Sequence, residues 1–302
     1  MPGSVHLLTA DHALVVVTGK INLLLACNAG VRKSTDGRAK EHVIERDSAV
    51  NISNLVSSVV SNLDLQVGIA THEVACTVFT GACNFRCPFC HNAPLVLAPD
   101  TCPTISEEEF FNFLSSRKGK LDGVCITGGE PTLQPDLPEF IAKIKGLGFL
   151  VKLDTNGYRP EVLQKLLERE LLDMIAMDIK NSKERYAFTS GLPDTAFDIA
   201  RVEESISLLL TSGIPHEFRT TVTAELHNTE QMSLLVTWLC ELSKKALGTT
   251  TLSSPYFLQN FKNSGDLVCC INNRFHPVED HILKDFLAIL QPCIPNTKLR
   301  GQ

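Results

Sequence analysis

Gly81-Ala82-Cys83-Asn84-Phe85-Arg86-Cys87-Pro88-Phe89-Cys90-His91-Asn92 follows directly on an apolar run, residues 74–80, and puts three cysteines on one short loop. The spacing is Cys-x3-Cys-x2-Cys. Thiolates are soft ligands that select zinc, copper(I) or iron–sulfur clusters. A structural zinc site wants four closed ligands, most often as two cysteine pairs. No second pair with suitable spacing exists here, because Cys269 and Cys270 are adjacent. The loop therefore points to a cubane held at three corners, with its fourth iron open to a substrate or cofactor. A non-enzymatic zinc-binding module is the alternative from another class.

Composition narrows the setting of this loop. The chain has 302 residues, 28 Lys+Arg against 34 Asp+Glu, and a formal net charge of −6. With 44% hydrophobic and 21% charged residues, wholesale disorder is excluded. The negative balance argues against a nucleic-acid-coating surface, which needs a basic face. No apolar run reaches the roughly 18 residues of a membrane-spanning helix; residues 13–26 come nearest, interrupted by Lys20 and Asn22. The first residues lack a basic n-region, so no secretory leader is expected. A reducing, cytoplasmic location follows as an expectation, where clustered cysteines mean metal or catalysis. The scattered ones (Cys27, Cys76, Cys102, Cys125, Cys240, Cys269, Cys270 and Cys293) read as packing residues without a second cluster.

Two textures divide the chain. Residues 1–66 hold two apolar patches around Gly19-Lys20, a hairpin signal, then a polar, charged run. They read as an N-terminal extension of poor order. Residues 67–302 alternate short apolar runs with helical patterns. Strands are predicted over 74–80, 123–127, 149–154, 174–178, 217–222 and 256–260. Helices are predicted over 106–114, 137–147, 160–169, 199–212, 230–244 and 278–290. Ser106 before a run of acids, and Pro160 at a first helical position, mark two helix starts. Strand–helix alternation of this length means right-handed βαβ units on a parallel sheet, here an α/β fold of the partial (β/α)6 barrel type. In barrels the chemistry sits where strands end.

Those ends carry unusual residues. The second strand closes in Thr127-Gly128-Gly129-Glu130-Pro131, where glycines permit close backbone approach and Glu130 supplies an acceptor. The third closes in Asp154-Thr155-Asn156-Gly157, the fourth in Met177-Asp178-Ile179-Lys180. Both put a carboxylate on the rim of the cysteine loop, with an Asp–Lys ion pair between loops as the simpler alternative. Arg219 lies inside the apolar fifth strand, a costly position unless its guanidinium meets an anion or a buried partner. Gln259 closes the sixth.

Together these motifs resemble the radical S-adenosylmethionine superfamily, from about Val74 to Leu299-Arg300-Gly301. The resemblance implies a [4Fe–4S] cluster on Cys83, Cys87 and Cys90, with S-adenosylmethionine chelating the fourth iron. It implies cofactor contacts at Phe89, His91, Gly128, Gly129, Glu130, Asp154, Asn156, Asp178, Lys180 and Arg219. Gly129 and Glu130 would meet the amino group and Arg219 the carboxylate. Asp154 and Asp178 would line the cofactor and hold a monovalent cation. Chemistry of this kind belongs to the cofactors, the side chains acting mainly by positioning, so no general acid or base is expected.

Cys90-His91-Asn92, Phe218-Arg219-Thr220-Thr221-Val222 and the Leu299-Arg300-Gly301 ending resemble the glycyl-radical-enzyme activases. Among these the likeness is to anaerobic ribonucleoside-triphosphate reductase activating proteins, sisters of the pyruvate formate-lyase activating enzymes. Such enzymes use the 5′-deoxyadenosyl radical to take hydrogen from a backbone glycine of a partner glycyl radical enzyme. A flavodoxin- or ferredoxin-like electron donor is implied too. One departure stands out. Activases carry Asp-x-Pro-Gly before the first strand, whereas this chain has Ile69-Ala70-Thr71-His72-Glu73. Either the substrate is different, a small molecule or peptide, or the segment before Val74 does not belong with the rest.

Overall fold

A computed structural model describes residues 75–262, 267–269 and 274–300, together with the backbone of 13–18 and 23–26. Seven strands form a parallel sheet: β3 (Ala75–Thr80), β5 (Gly123–Gly128), β6 (Leu150–Thr155), β7 (Met174–Asp178), β8 (His216–Val222), β9 (Tyr256–Asn260) and β10 (Thr297–Arg300). They lie side by side in chain order. Each step between neighbours crosses through one long helix: Glu107–Ser116, Leu137–Gly146, Pro160–Glu168, Ile199–Ser212, Thr229–Leu247 and Asp280–Leu290. This is the α/β partial barrel the alternation predicts.

At the β3 edge, β1 (Ala13–Thr18) and β2 (Leu23–Ala26) pair antiparallel with each other, and β2 pairs antiparallel with β3. The short β4 (Ile105–Ser106) pairs with β1. The hairpin signal at Gly19-Lys20 thus has its two strands, although residues 19–22 lie outside the described residues. So do the rest of the 1–66 extension, its boundary at 66–67 and the Ile69–Glu73 departure.

Period-two alternation sorts the strand residues onto two faces. Val124, Ile126, Val151, Leu153, Ile175, Met177, Phe218, Tyr256 and Leu258 are fully buried. They share one core with Leu137, Ile141, Leu163, Leu166, Val202, Ile206, Leu235, Leu239 and Phe286 of the surrounding helices. The opposite face carries Cys125, Lys152, Asp154, Asp178, Glu217 and Arg219. The register sets Cys125 beside Lys152, Asp154 beside Ala176, Ala176 beside Glu217, and Asp178 beside Arg219. A hydrophobic layer therefore fixes the sheet from outside and leaves the inner face for charge.

The helix Glu107–Ser116 starts at Ser106 with a complete capping box, the Ser106 hydroxyl accepting from the Glu109 N–H and Glu109 accepting from the Ser106 N–H, as the acid-rich start predicts. Four strands or α-helices were not predicted: β4, β10 and the short helices Ala93–Leu97 and Tyr186–Thr189. Each is too brief for a period to register, and β10 is half charged.

Truncating the central strand tests the core. Ile126→Ala should lower unfolding free energy by about 2–5 kcal/mol, measured by urea denaturation; a loss under about 1 kcal/mol would contradict this packing.

Candidate active site

The cysteine loop leaves β3 and is tied down on every side. Its first turn is zipped to the Gly-Gly-Glu turn after β5: the Gly129 N–H donates to the Thr80 carbonyl (2.8 Å), and the Glu130 N–H to the Ala82 carbonyl (2.8 Å). Asn92 Nδ2 donates back to the Gly128 carbonyl at 3.0 Å. Gly129 is required here, because a Cβ would run into the Ala82 carbonyl. Gly191, at φ +69°, meets the Arg86 carbonyl in the same way. The Arg86 N–H donates to Ser190 O (2.8 Å), the Val268 N–H to Cys90 O (3.0 Å) and the Cys269 N–H to Pro88 O (3.1 Å). Phe89 is buried with its ring 6.2 Å from that of Phe275, and His91 is exposed. The predicted backbone approach of the glycines thus serves first to clamp the cysteine loop.

Burial pushes the Cys83 and Cys87 thiols up to about 12 and raises Cys90 as well, against the lowering field of Lys180. The Cys83 sulfur accepts from the Phe85 N–H (3.4 Å) and from Asn156 Nδ2 (3.9 Å). Among the described residues no three His, Cys, Asp or Glu side chains close around a point as ligands of one metal ion would. A tetrahedral zinc site needs sulfurs about 3.8 Å apart, from Zn–S bonds of about 2.3 Å. A cubane is gripped at its corners and spreads its thiolates wider. One buried and two half-buried thiols on one fixed loop, amide donors aimed at sulfur and a nearby lysine fit such a cluster.

Glu130 is 1% exposed and its carboxylate is filled by protein donors. Oε1 accepts from the Thr132 N–H (3.1 Å), Thr132 Oγ1 (2.6 Å) and Thr155 Oγ1 (2.7 Å), while Oε2 accepts from the Asn156 N–H (2.7 Å). Burial raises its pKa, with these bonds opposing. The sequence expects a free acceptor at this position; the structure has a brace.

Arg219 likewise has partners in the chain. Nε donates to Asp178 Oδ1 (2.8 Å) and Nη1 to Asp154 Oδ2 (3.0 Å). Asp178 Oδ2 accepts from Lys180 Nζ at 2.9 Å. Burial opposes ionisation of Asp178, but Arg219 and Lys180 outweigh it and hold the carboxyl well below the usual range. Asp154 is lowered in the same manner by Arg219 and Lys152. One layer deeper, Lys152 Nζ stands 3.4 Å from Asp154 and 3.7 Å from Glu217. Arg300 grips Glu217 with two bonds, 2.8 and 2.9 Å, and stacks 3.7 Å over Phe257. The array holds Lys152, Lys180, Arg219 and Arg300 against Asp154, Asp178 and Glu217, an excess of one positive charge. Gln259 lies half-buried on β9, paired across the sheet with Arg300.

Sequence reasoning named Asp154, Asp178, Lys180 and Arg219 and missed Lys152, Glu217 and Arg300. The signal was available: two residues back from Asp154 and from Arg219, the same face of each strand carries Lys152 and Glu217. His227 was missed as well. It is 4% exposed, its Nδ1 accepts from the Thr223 N–H (3.1 Å), and its Nε2 donates to the Lys180 carbonyl (3.0 Å). It braces the loop that carries Lys180.

The sequence profile of the radical SAM superfamily matches residues 77–232, just over half of the chain. The protein belongs to the radical SAM superfamily. This family implies a [4Fe–4S] cluster and S-adenosylmethionine. Two proteins of Methanocaldococcus jannaschii, each named as a glycyl-radical enzyme activating enzyme, are similar: 38% identical over 133 residues (44% of this chain, 52% of the relative) and 39% over 106 residues (34% and 38%). A protein of Thermococcus kodakarensis named GTP 3′,8-cyclase is 31% identical over 131 residues, 43% of this chain and 42% of the relative. The chain thus spans about half or less of the length of these relatives. In fold it resembles a radical SAM methyltransferase from Sphaerobacter thermophilus, with a TM-score of 0.55 at 14% identity over 75% of this chain and 66% of that one. It also resembles Streptococcus suis SuiB bound to S-adenosylmethionine, with a TM-score of 0.51 at 13% identity over 73% and 48%. No helix among the described residues is long and apolar enough to cross a membrane.

His227 supplies a pH test. Burial lowers its pKa against the bond to the Lys180 carbonyl, so the unfolded chain takes up a proton near pH 6.5 and the folded chain only below that. Its contribution to stability is full above pH 6.5 and is lost as pH falls. Unfolding free energy measured from pH 7.5 to 5 should drop more steeply in the wild type than in His227→Gln, by about 1.4 kcal/mol per unit of depression. Parallel profiles would contradict the buried neutral imidazole.

Proposed function

We propose that this protein is a glycyl-radical-enzyme activase of the anaerobic ribonucleotide reductase type. The observation that carries the proposal is the gathering of the strand-end residues Glu130, Asn156 and Lys180 around one cysteine loop, in a chain whose relatives include proteins named as such activases. In this reading Cys83, Cys87 and Cys90 hold the cluster. A [4Fe–4S] cluster held there would supply the electron for reductive cleavage of S-adenosylmethionine, and with it the hydrogen-abstracting carbon radical.

The residues of the chain bind and orient. Lys180 lies within the electrostatic reach of all three thiols and is the natural counter-charge for an anionic cluster or a carboxylate. Arg219, already bridging Asp154 and Asp178, keeps two further donors on Nη2 for the same carboxylate. Asp154 and Asp178 supply oxygens for an ammonium group or a monovalent cation; Asp154 Oδ1 is buried without a hydrogen bond, its ion-pair partner Lys152 standing 3.4 Å away. The backbone of Gly128 and Gly129 takes the amino-group role, and Glu130 positions that backbone. Phe89 and His91 shape the loop around Cys90. The partner is a glycyl radical enzyme, and a flavodoxin- or ferredoxin-like protein provides electrons.

A second reading keeps the same cofactors with a small molecule or peptide as substrate. The Ile69–Glu73 departure and the similarity to proteins named GTP 3′,8-cyclase favour it.

The tests separate the two layers. Anaerobic reconstitution with iron and sulfide, followed by reductant and S-adenosylmethionine, should yield 5′-deoxyadenosine, and Cys90→Ala should yield none. Equal yields would overturn the enzyme assignment. Co-incubation with a class III ribonucleotide reductase should generate a glycyl-radical doublet in electron paramagnetic resonance. Turnover without a doublet on several glycyl radical enzymes would select the second reading.

A further inference from the structure

Resting on the reading of the Cys83–Cys90 loop as a cluster site, we infer that the Asn156 carboxamide tunes the redox potential of the cluster by donating to the Cys83 sulfur, and is not a contact for the nucleotide. The orientation of this amide is fixed by its other end. Asn156 Oδ1 accepts the Tyr158 N–H at 2.9 Å, so the NH2 group has to face the cysteine loop. There Nδ2 donates to Asn84 Oδ1 at 2.7 Å and stands 3.9 Å from Cys83 Sγ. Its two protons are thus both directed at the loop.

The backbone of Asn156 is held just as firmly, its N–H donating to Glu130 Oε2 at 2.7 Å. The residue is 5% exposed, and the Ser205 hydroxyl holds the following carbonyl, Gly157 O, at 2.6 Å. A side chain with its acceptor and both its donors committed has little left to offer a nucleotide. It has much to offer a thiolate. Amide donors draw negative charge off a cysteine sulfur and favour the more negative, reduced cluster, and residues behind the ligands tune a centre in this way. The Phe85 N–H reaches the same sulfur at 3.4 Å. A contact of 3.9 Å is long for a neutral thiol and strengthens once the sulfur is charged.

Asn84 is the competitor in this geometry. Its Oδ1 takes the shorter of the two Asn156 bonds, so removing it frees that proton for sulfur. The two asparagines therefore have opposite effects on the cluster, which a merely structural role would not produce.

The test is a redox titration of the reconstituted full chain without S-adenosylmethionine, followed by electron paramagnetic resonance. At the wild-type midpoint, Asn156→Asp should lower the reduced-to-oxidised ratio about tenfold, equivalent to about 59 mV for a one-electron couple. Asn156→Ala should lower it less, and Asn84→Ala should raise it. Iron and sulfide per chain, and calorimetric affinity for S-adenosylmethionine, should stay within about twofold of the wild type in the Asn156→Ala protein. An unchanged midpoint overturns the inference, and weakened nucleotide affinity beside it would make Asn156 a nucleotide contact. If the Asn156 variants do not load a cluster, Asn84→Ala decides alone, and an unchanged or lowered ratio rejects the inference. A wild-type chain that takes up no iron and sulfide would instead defeat the underlying reading.

Discussion

A carboxylate taken out of water is costly unless its lone pairs are filled, and Glu130 meets that condition by tying three parts of the molecule together. Two of its four donors come from Thr132 in its own turn, and two from Thr155 and Asn156 at the end of β6. Its backbone N–H holds the Ala82 carbonyl at the root of the cysteine loop. One side chain with its own amide thereby fixes β3, β5 and β6 at the rim where the cysteines emerge. Loss of this brace would loosen the root of the loop, while the bonds of Arg86, Val268 and Cys269 still hold its far side.

The second constraint is electrostatic. Parallel strands buried on both faces are ordinarily apolar throughout, yet here the inner face carries seven charges in alternating sign. Each anion is paired with at least one cation, so the array persists through mutual neutralisation and not through solvation. The excess positive charge on this inner face is balanced when an anionic group enters. Lys180, whose charge reaches the thiols, ties that requirement to the cysteine loop, and His227 and Tyr186 hold the backbone around it: the imidazole donates to Lys180 O at 3.0 Å, the phenol to Asp178 O at 3.2 Å. The site is a charged cup set into a hydrophobic shell.

Much of this was legible in the chain itself. Six of the seven parallel strands and all six crossover helices announce themselves by apolar runs and helical periods, because each buries one continuous face. The cysteine triplet and the strand-end motifs are local, and local patterns survive without coordinates. Partnership was not legible. The sequence does not show the hydroxyls of Thr132 and Thr155 around Glu130, nor that Asp154 and Asp178 already take two of the nitrogens of Arg219. Lys152, Glu217 and Arg300 become meaningful only through strand register, which relates residues far apart in the chain. β10 and the two short helices offer too few residues for any period to form.

The account stands on a cubane bound at three cysteines with a vertex left for S-adenosylmethionine. The most direct measurement is the electron paramagnetic resonance spectrum of the reduced, reconstituted protein before and after S-adenosylmethionine is added. A [4Fe–4S]+ signal whose g-values shift on addition is the predicted result, as the proposed ligation of the cluster by the nucleotide requires. A protein carrying stoichiometric zinc, or a cluster signal indifferent to the nucleotide, would contradict it.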